Sequence, residues 1–369
     1  MTRALGVDRA LVNGEIITGD VQISDGRVAQ VGVGSGAGTG RVAVPGFFDV
    51  QVNGFGGVDF AAADHEGVNQ ARVALASTGV TSFLPTLITN PIDAMMAQAE
   101  VVVTAPDTPG AAQIAGLHFE GPAISPQRVG AHPAQHVQAP NAELARTLTS
   151  IPHLRLVTLA PERDGSLSLI ETLTEAGVVV SFGHTEATEH EAQAGFAAGG
   201  TAVTHIFNAM RPIAHREPGI AAHALTSPDV FVGLIADGLH VAPTMMDLVA
   251  RAAGRRLVLV TDACAGALCP DGDYLLGAET ISVINGEARR PDGVLAGSTL
   301  TMPQAIRNMM DVGVSFSDAV HAATLAPQAM LRGDTPIDLT PGSVADIVIT
   351  DDDLQIHETL IAGKVVFQP

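Results

Sequence analysis

The stretch G-G-T-A-V-T-H-I-F-N-A-M-R-P-I-A-H-R-E-P-G, residues 199–219, carries the pattern that decides the fold. A short apolar run over 201–204 ends on His205, and a polar turn follows it. In a βα unit a buried strand delivers a side chain to the C-terminal end of the sheet, so this order predicts a functional residue at a strand tip. By itself, His205 is better explained as a hydrogen-bonded core histidine.

Four other apolar runs end in the same way. Each of them closes on His, Glu or Asp: 114–117 before His118 and Glu120, 178–182 before His184, 232–235 before Asp237 and His240, and 257–260 before Asp262. Parallel strands place their C-terminal tips at one face, so five such endings predict one shared polar site. We therefore expect an enzyme whose active site is built on strand ends.

Helical patterns separate these strands, which predicts an α/β fold of the TIM type, a (β/α)₈ barrel. The expected helices are 69–77, 93–103, 166–176, 189–198, 243–253, 303–312 and a pair over 317–331. The 369 residues exceed the roughly 250 of a plain barrel. Hairpin signals at Asn13-Gly14 and Asp25-Gly26, and two more strand patterns near the C-terminus, predict a small β-sandwich built from both termini. The predicted bounds are 1–44 and 339–369 for the sandwich and 45–338 for the barrel.

The composition excludes several classes of protein. A formal net charge of −20 makes nucleic acid or an anionic membrane an unsuitable partner. No run approaches the roughly 18 apolar residues of a membrane span, and no signal-peptide pattern is present, so we expect a cytoplasmic protein. Cys264 and Cys269 lack the partners of a structural zinc site and are expected to be a reduced pair.

Motifs along nearly the whole chain resemble one family. They are P-G-F-F-D-V-Q-V-N-G at 45–54, H-F-E-G-P at 118–122, G-H-T at 183–185, T-H-I-F-N-A-M at 204–210, R-E-P-G at 216–219, A-D-G-L-H at 236–240, V-T-D-A at 260–263 and G-S-T-L-T-M at 297–302. Together they resemble the N-acetylglucosamine-6-phosphate deacetylases of the amidohydrolase superfamily. Any single motif would be weak evidence, but the ordered set is specific.

Three of the strand-tip residues suit a catalytic metal. Glu120, His184 and His205 supply one carboxylate and two imidazoles, the ligand count of a catalytic zinc with an open fourth position. The open position would hold a water whose pKa the metal lowers towards neutrality. Zn²⁺ is the expected ion, with Fe²⁺, Co²⁺ or Mn²⁺ as alternatives. The structural alternative is an ion-paired Glu120 with both histidines hydrogen-bonded in loops.

Two further residues are candidates for the chemistry. Asp262 suits a general base that takes a proton from water and returns it to the leaving amine, which is also the role that the resemblance implies. An N-cap of a following helix is the alternative for Asp262. The resemblance implies that His132 helps to polarise the amide carbonyl. A loop histidine without a function is the alternative for His132.

The resemblance also implies a substrate-binding set and an assembly. The matching positions are Ala131, His132, Asn208, Ala209, Arg216 and His240. Arginine suits a phosphate because its planar guanidinium donates two parallel hydrogen bonds. In the family the matching arginine reaches the neighbouring active site of a homodimer, so we expect a homodimer in which Arg216 does the same.

The first barrel strand departs from the pattern of many amidohydrolases. Where those have His-x-His, which helps to bind a second metal, this chain has Gln51 and Asn53. An amide is a poorer zinc ligand than imidazole, and no lysine stands at a strand tip. The sequence therefore predicts one divalent ion per subunit and a vestigial second-metal position at these two residues.

The expected function is metal-dependent hydrolysis of N-acetylglucosamine 6-phosphate to glucosamine 6-phosphate and acetate, a step of amino-sugar catabolism and cell-wall recycling. The same reaction on the galactosamine epimer is an open alternative, because nothing in the sequence fixes the contact to the C4 hydroxyl. A non-catalytic sugar-phosphate sensor would have lost Asp262 or a ligand, and all are present. A cyclic-amide hydrolase such as a dihydroorotase would need the missing His-x-His and lysine.

Overall fold

The computed structural model describes residues 2–332 and 338–369, and its centre is a barrel of parallel strands. The barrel strands are β1 Phe47–Val52, β2 Val80–Ile88, β3 Leu117–Glu120, β4 Leu154–Leu159, β5 Val179–Phe182, β6 Ala202–Val203, β7 Phe231–Ile235 and β8 Leu257–Val260. Neighbours in this order pair in parallel from β1 to β8. A parallel bridge between Val52 and Ala263 joins the two ends. The predicted (β/α)₈ barrel is confirmed.

Ten α-helices lie in the described part of the chain. They are α1 His65–Ser77, α2 Ile92–Thr104, α3 Ala142–Thr149, α4 Ser166–Glu175, α5 Glu189–Ala197, α6 Gly219–Thr226, α7 Pro243–Ala253, α8 Met302–Asp311, α9 Phe316–Ala322 and α10 Leu325–Met330. Every helix predicted from the sequence is present. The helices α3 and α6 were not predicted, and α6 begins at Pro218-Gly219, a pair that typically indicates a turn. None of these helices is long and apolar enough to cross a membrane.

The barrel strands are buried on both faces. All nine residues of β2 and all six of β1 are buried, because helices cover the outside and side chains fill the inside. Most strands of this kind read as near-continuous apolar runs, which made them recognisable in the sequence, whereas β1 also carries the buried polar residues Asp49 and Gln51. A rigid core of this kind fixes the positions of the residues at the strand tips.

Strands from both termini form two further sheets. A six-stranded sheet contains Arg9–Val12, Glu15–Thr18, Val42–Pro45, Ile347–Thr350, Glu358–Ile361 and Lys364–Phe367, and a three-stranded sheet contains Arg3–Ala4, Asp20–Ser24 and Arg27–Val33. Residues of both sheets, such as Val21 and Ile347, share one hydrophobic core. Asn13-Gly14 and Asp25-Gly26 have positive φ at both positions, as the predicted two-residue turns require. The exact bounds 1–44, 45–338 and 339–369 stay a prediction, and residues 1 and 333–337 lie outside the described chain.

A small antiparallel sheet is inserted between β8 and α8. Its strands are Gly272–Leu276, Glu279–Ile284 and Glu287–Arg289. The sequence analysis missed it, although Glu279–Ile284 alternates in burial and is followed by the hairpin pair Asn285-Gly286, which has positive φ at both positions. Ile281 and Val283 of the insert pack with Ile88 and Cys264 in a separate cluster beside the barrel mouth. The insert therefore forms one wall of the region to which the strand tips point.

Candidate metal centre and active site

The predicted site residues stand at the C-terminal tips of the barrel strands. Glu120 is the last residue of β3, and His184, His205 and Asp262 follow β5, β6 and β8 with one residue between. Those last three residues have φ values of 49°, 29° and 49°, in the left-handed region that L-residues rarely adopt. Such strained backbone persists only where the surrounding structure enforces it, and it clusters at functional sites.

Glu120, His184 and His205 form a buried cluster whose potential ligand atoms all lie within 4.8 Å of one another. Nε2 of His205 lies 2.9 Å from Oε1 of Glu120, and Nε2 of His184 lies 3.3 Å from the same oxygen. Nδ1 of His184 lies 2.8 Å from the carbonyl oxygen of Arg128. A carbonyl only accepts, so Nδ1 carries the proton and leaves the Nε2 lone pair for a metal.

The direction of the His205 ring fits a metal at this cluster. Its Nε2 faces the Glu120 carboxylate, whereas its Nδ1 is buried and has no hydrogen-bond partner among residues 2–332 and 338–369. The ring is therefore directed into the polar cluster, and the interpretation of His205 as a fully hydrogen-bonded core histidine does not fit. One carboxylate and two imidazoles are ligands that Zn²⁺ accepts, and the three residues fit a divalent ion of this type.

Electrostatics at Glu120 favour its charged form. Burial alone raises the pKa of this carboxyl, but the facing imidazoles of His132, His184 and His205 outweigh burial and lower the pKa well below its usual range. Burial lowers the pKa of His205, and the hydrogen bond and charge of Glu120 outweigh that effect and raise it. Glu120 is therefore an anionic group inside the barrel mouth, as a carboxylate ligand of a cation must be.

His132 presents a defined donor to the same place. The backbone N–H of Thr89 donates to Nδ1 of His132 at 3.3 Å, so Nδ1 holds a lone pair and the neutral ring carries its proton on Nε2. Nε2 lies 3.5 Å from Oε2 of Glu120. Burial, together with the charge of His184, lowers the pKa of His132 to about 4. The ring is thus a neutral hydrogen-bond donor at neutral pH.

Asp262 is a buried carboxyl that is held by one amide. Nδ2 of Asn53 donates to its Oδ1 at 2.7 Å. Burial and the negative charge of Glu120 raise the pKa of Asp262 to about 6, close to the range of a general base that works near neutral pH. The helix-cap alternative is wrong: every residue from 262 to 301 is described, and the next α-helix begins only at Met302.

These residues line one cavity of about 350 Å³. The predicted residues on its wall are Asn53, Glu120, Ala131, His132, His184, His205, Asn208, Ala209, His240 and Asp262. Gln51 lies behind this wall, where it contacts Glu120. Arg216 is exposed and is not part of the lining, and within the described chain it forms no ion pair, including with its neighbour Glu217.

The sequence analysis placed Asp237 at a strand tip but did not predict its contact with His240, and it gave no role to Arg290. Asp237 binds Nδ1 of His240 at 2.6 Å, and this hydrogen bond outweighs burial and lowers the pKa of the Asp237 carboxyl. Arg290 of the insert region donates to the carbonyl of Gly130 at 3.1 Å and so ties the insert to the loop that carries His132. Only the spacing of three between Asp237 and His240 was a usable signal.

Leu276 and Leu295 also line the cavity and come from the insert and the segment after it. Ile88 at the end of β2 and Ile235 at the end of β7 add further apolar surface. The cavity therefore has a polar part at the buried cluster and apolar surface around it, the general character of a small-molecule site. Its volume suits a ligand about the size of a substituted monosaccharide.

Comparisons with known proteins point to one group. Residues 42–366 match the family model described as the amidohydrolase family. The chain is 38% identical over 348 residues to the N-acetylglucosamine-6-phosphate deacetylase of Homo sapiens, covering 89% of this chain and 84% of that protein. It is 36% identical over 374 residues to an N-acetylgalactosamine-6-phosphate deacetylase of Escherichia coli O157:H7, covering 99% of both.

Solved structures agree with the sequence comparisons. A mutant N-acetyl-D-glucosamine-6-phosphate deacetylase from Mycobacterium smegmatis, in complex with N-acetyl-D-glucosamine-6-phosphate, matches over 100% of both chains with a TM-score of 0.92 and 35% identity. The N-acetylglucosamine-6-phosphate deacetylase of Thermotoga maritima matches over 100% of both chains with a TM-score of 0.91 and 30% identity. The similarity covers the barrel and the sheets built from both termini.

Proposed function

The chain belongs to the amidohydrolase family, and on that premise we propose that it hydrolyses the acetamide of N-acetyl-D-glucosamine 6-phosphate to D-glucosamine 6-phosphate and acetate. The observation that carries this proposal is the buried cluster of Glu120, His184 and His205, which shares one cavity with Asp262 and His132. A cytoplasmic location is part of the proposal, because a sugar phosphate is charged and does not cross a bilayer unaided.

In this proposal Glu120, His184 and His205 hold one divalent ion. Zn²⁺ is the expected ion, and Fe²⁺, Co²⁺ and Mn²⁺ are alternatives with the same ligand types. The ion would supply a Lewis acid for the acetamide carbonyl and would make a water more acidic. The backbone carbonyl of Arg128 holds His184 in the tautomer that leaves Nε2 free for ligation.

Asp262 takes a proton from the attacking water and returns it to the leaving amine nitrogen. Its Oδ1 is engaged by Asn53, so Oδ2 is the oxygen that carries the proton. A pKa of about 6 makes the carboxylate the main form at neutral pH and keeps it basic enough to accept a proton. His132 donates from Nε2 to the carbonyl oxygen as negative charge develops there.

The remaining polar wall would bind the sugar and its phosphate. We assign Asn208, the backbone of Ala209, Ala131 and His240 to this set, because all of them line the cavity. Asp237 holds the His240 ring by its Nδ1 and leaves Nε2 for a ligand. In one chain Arg216 is exposed outside the cavity, which is the position expected if it serves the site of a second subunit.

A direct assay tests the reaction. Acetate release is measured with N-acetylglucosamine 6-phosphate, N-acetylgalactosamine 6-phosphate and unphosphorylated N-acetylglucosamine as substrates. The galactosamine epimer is the second candidate, since a relative named for it matches over 99% of both chains. A higher kcat/KM for the galactosamine epimer would replace the proposed substrate. No acetate from any of the three, with metal present, would leave only a sugar-phosphate-binding role.

Purified protein is expected to hold about one tightly bound divalent ion per subunit. Only one closed set of ligands, Glu120 with His184 and His205, is present in the described chain. Metal analysis after exhaustive dialysis, with the protein concentration from amino-acid analysis, gives the stoichiometry. Two equally tight ions, each required for turnover, would contradict the assignment.

Replacing Arg216 with Ala is expected to weaken binding of the phosphorylated sugar by about 2–5 kcal/mol, the range for truncating one partner of a buried charge pair. The unphosphorylated sugar should be nearly unaffected, because it lacks the charge. His215→Ala, at an exposed neighbouring position, is the matched control. Equal losses on both substrates would assign Arg216 a structural role instead.

The contribution of Arg216 across subunits has its own test. Arg216→Ala and Asp262→Asn subunits, each inactive or weak alone, are mixed after dissociation and allowed to reassociate. If Arg216 serves the neighbouring site, a mixed dimer contains one complete site and activity returns. If Arg216 serves its own subunit, the mixture stays as inactive as its components.

A further inference from the structure

Gln51 and Asn53 each contact one of the two carboxylates of the site. Nε2 of Gln51 lies 3.1 Å from Oε1 of Glu120, and Nδ2 of Asn53 lies 2.7 Å from Oδ1 of Asp262. Both amides are almost completely buried, with 2% and 3% of their surface exposed. Residues two apart at the end of a strand point to the same face, so β1 presents both amides to the barrel mouth.

The orientation of the Asn53 amide follows from its neighbours. Its nitrogen faces two acceptors, the carboxylate of Asp262 and, at 3.4 Å, the carbonyl oxygen of the same residue. Only the NH₂ end of the amide can donate to both, so Oδ1 points the other way. There Oδ1 is buried and has no partner within residues 2–332 and 338–369.

A buried, unpaired amide oxygen destabilises the fold. If this position only had to fill space, an apolar residue of the same shape would be more favourable than asparagine. The unpaired oxygen therefore indicates that the N–H group of Asn53 is what this position provides. For Gln51 the argument rests on burial and on its donor contact to Glu120, because a buried amide is unfavourable unless it is hydrogen-bonded.

We propose that Gln51 and Asn53 are positioning residues, Gln51 for Glu120 and Asn53 for Asp262, each acting through one amide N–H. The proposal rests on the proposed function, in which Glu120 is a ligand and Asp262 the general base. With Oδ1 held by Asn53, Asp262 has one fixed oxygen and one free for the proton. With the Gln51 N–H on Oε1, Glu120 is held in the orientation that faces both histidines.

The two N–H groups also occupy the lone pairs that a second cation between the carboxylates would need. An N–H donor partly offsets the negative charge of the carboxylate that it contacts. It does so without adding a full positive charge, as a second cation would. Gln51 and Asn53 therefore position the two carboxylates of a single-metal site. The sequence had suggested only a vestigial second-metal position for them. This gives a physical reason why the position holds amides and not smaller or apolar side chains.

The two residues act on different groups, so their loss has different consequences. Gln51→Met keeps the shape and removes the donor to a metal ligand. Metal affinity is expected to fall about 10–100-fold, the usual effect of losing a group that orients a ligand. Asn53→Leu removes the donor to the base, so kcat is expected to fall about 10–100-fold, with KM and metal affinity within about twofold of the parent.

The experiment uses the purified, metal-loaded protein. Metal release to a chromophoric chelator gives the affinity, independently of activity, and initial rates give kcat and KM. Added metal is expected to restore the rate of Gln51→Met and to leave that of Asn53→Leu unchanged. Gln98→Met is the matched control, because Gln98 donates to the carbonyls of Phe60 and Ala63, away from both carboxylates. It is expected to change neither metal affinity nor kcat.

The outcomes are decisive in each direction. Parental metal affinity in Gln51→Met, or a parental kcat in Asn53→Leu, would overturn the role of that residue. Equal metal loss in both variants would show a general packing defect and overturn the proposal. If Asn53→Leu does not fold by circular dichroism, Asn53→Ala is measured in its place. A parent protein inactive on every N-acetyl sugar phosphate would refute the proposed function, while the difference in metal release would still test Gln51.

Discussion

Asp262→Asn is expected to lower kcat by at least about 10²–10⁴-fold, the contribution of general acid–base catalysis. Asparagine has nearly the size of aspartate, and its oxygen can still accept the hydrogen bond from Nδ2 of Asn53. It cannot take a proton from water. The variant should therefore still bind the metal ion and the sugar phosphate, which metal analysis and substrate-binding calorimetry measure beside the steady-state rate.

The expected loss separates catalysis from structure, because the substitution leaves the geometry of the turn after β8 intact. Asparagine tolerates positive φ well, so the φ of 49° at this position is not an obstacle. A kcat above about a tenth of the parental value, a threshold well above the expected range, would remove Asp262 from the mechanism. Loss of the bound metal in this variant would show that Asp262 also acts as a ligand.

His184→Ala or His205→Ala is expected to abolish both stoichiometric metal binding and turnover while the fold persists. Removing either imidazole leaves two protein ligands, too few for a tightly held catalytic ion. The barrel core below the site is unaffected, because both residues lie beyond the ends of their strands. Metal analysis, acetate release and thermal unfolding are measured on the same preparations.

The control for these variants is His190→Ala, at an exposed position on α5. It removes an imidazole from the same protein without touching the cluster, and it should keep the metal and the rate of the parent. A His184 or His205 variant that retained one ion per subunit and a near-normal rate would show that the metal lies elsewhere. If the His184→Ala and His205→Ala variants lost the fold, thermal unfolding would show a transition at a lower temperature than in the parent.

Much of the architecture was predictable because its signals are local. The run over 201–204 and the four other apolar runs end on residues that the structure brings to one cavity. Strands buried on both faces are mainly apolar, and the carboxyl ends of parallel strands meet at one face. The hairpins at Asn13-Gly14 and Asp25-Gly26 were predictable because their turns need positive φ, which these residues adopt easily.

The insert and two helices were missed for different reasons. The insert carries the alternating strand Glu279–Ile284 followed by Asn285-Gly286, a hairpin signal that was overlooked. Helix α3 begins after Asn141, a favoured N-cap residue, and was overlooked in the same way. Helix α6 starts at Gly219, directly after Pro218, where the sequence favours a turn, and the burial of the helix outweighs that preference.

The sequence by itself determined the barrel, the strand tips and the residue types that a metal and a base require, because these follow from periodicity and side-chain chemistry. Only the tertiary structure decided how those residues are held. Asn53 and Asp262 are 209 positions apart, and Thr89 and His132 are 43 apart, yet each pair shares a hydrogen bond. Such bonds form only when the closed barrel brings separate strands together, so no local pattern in the chain encodes them.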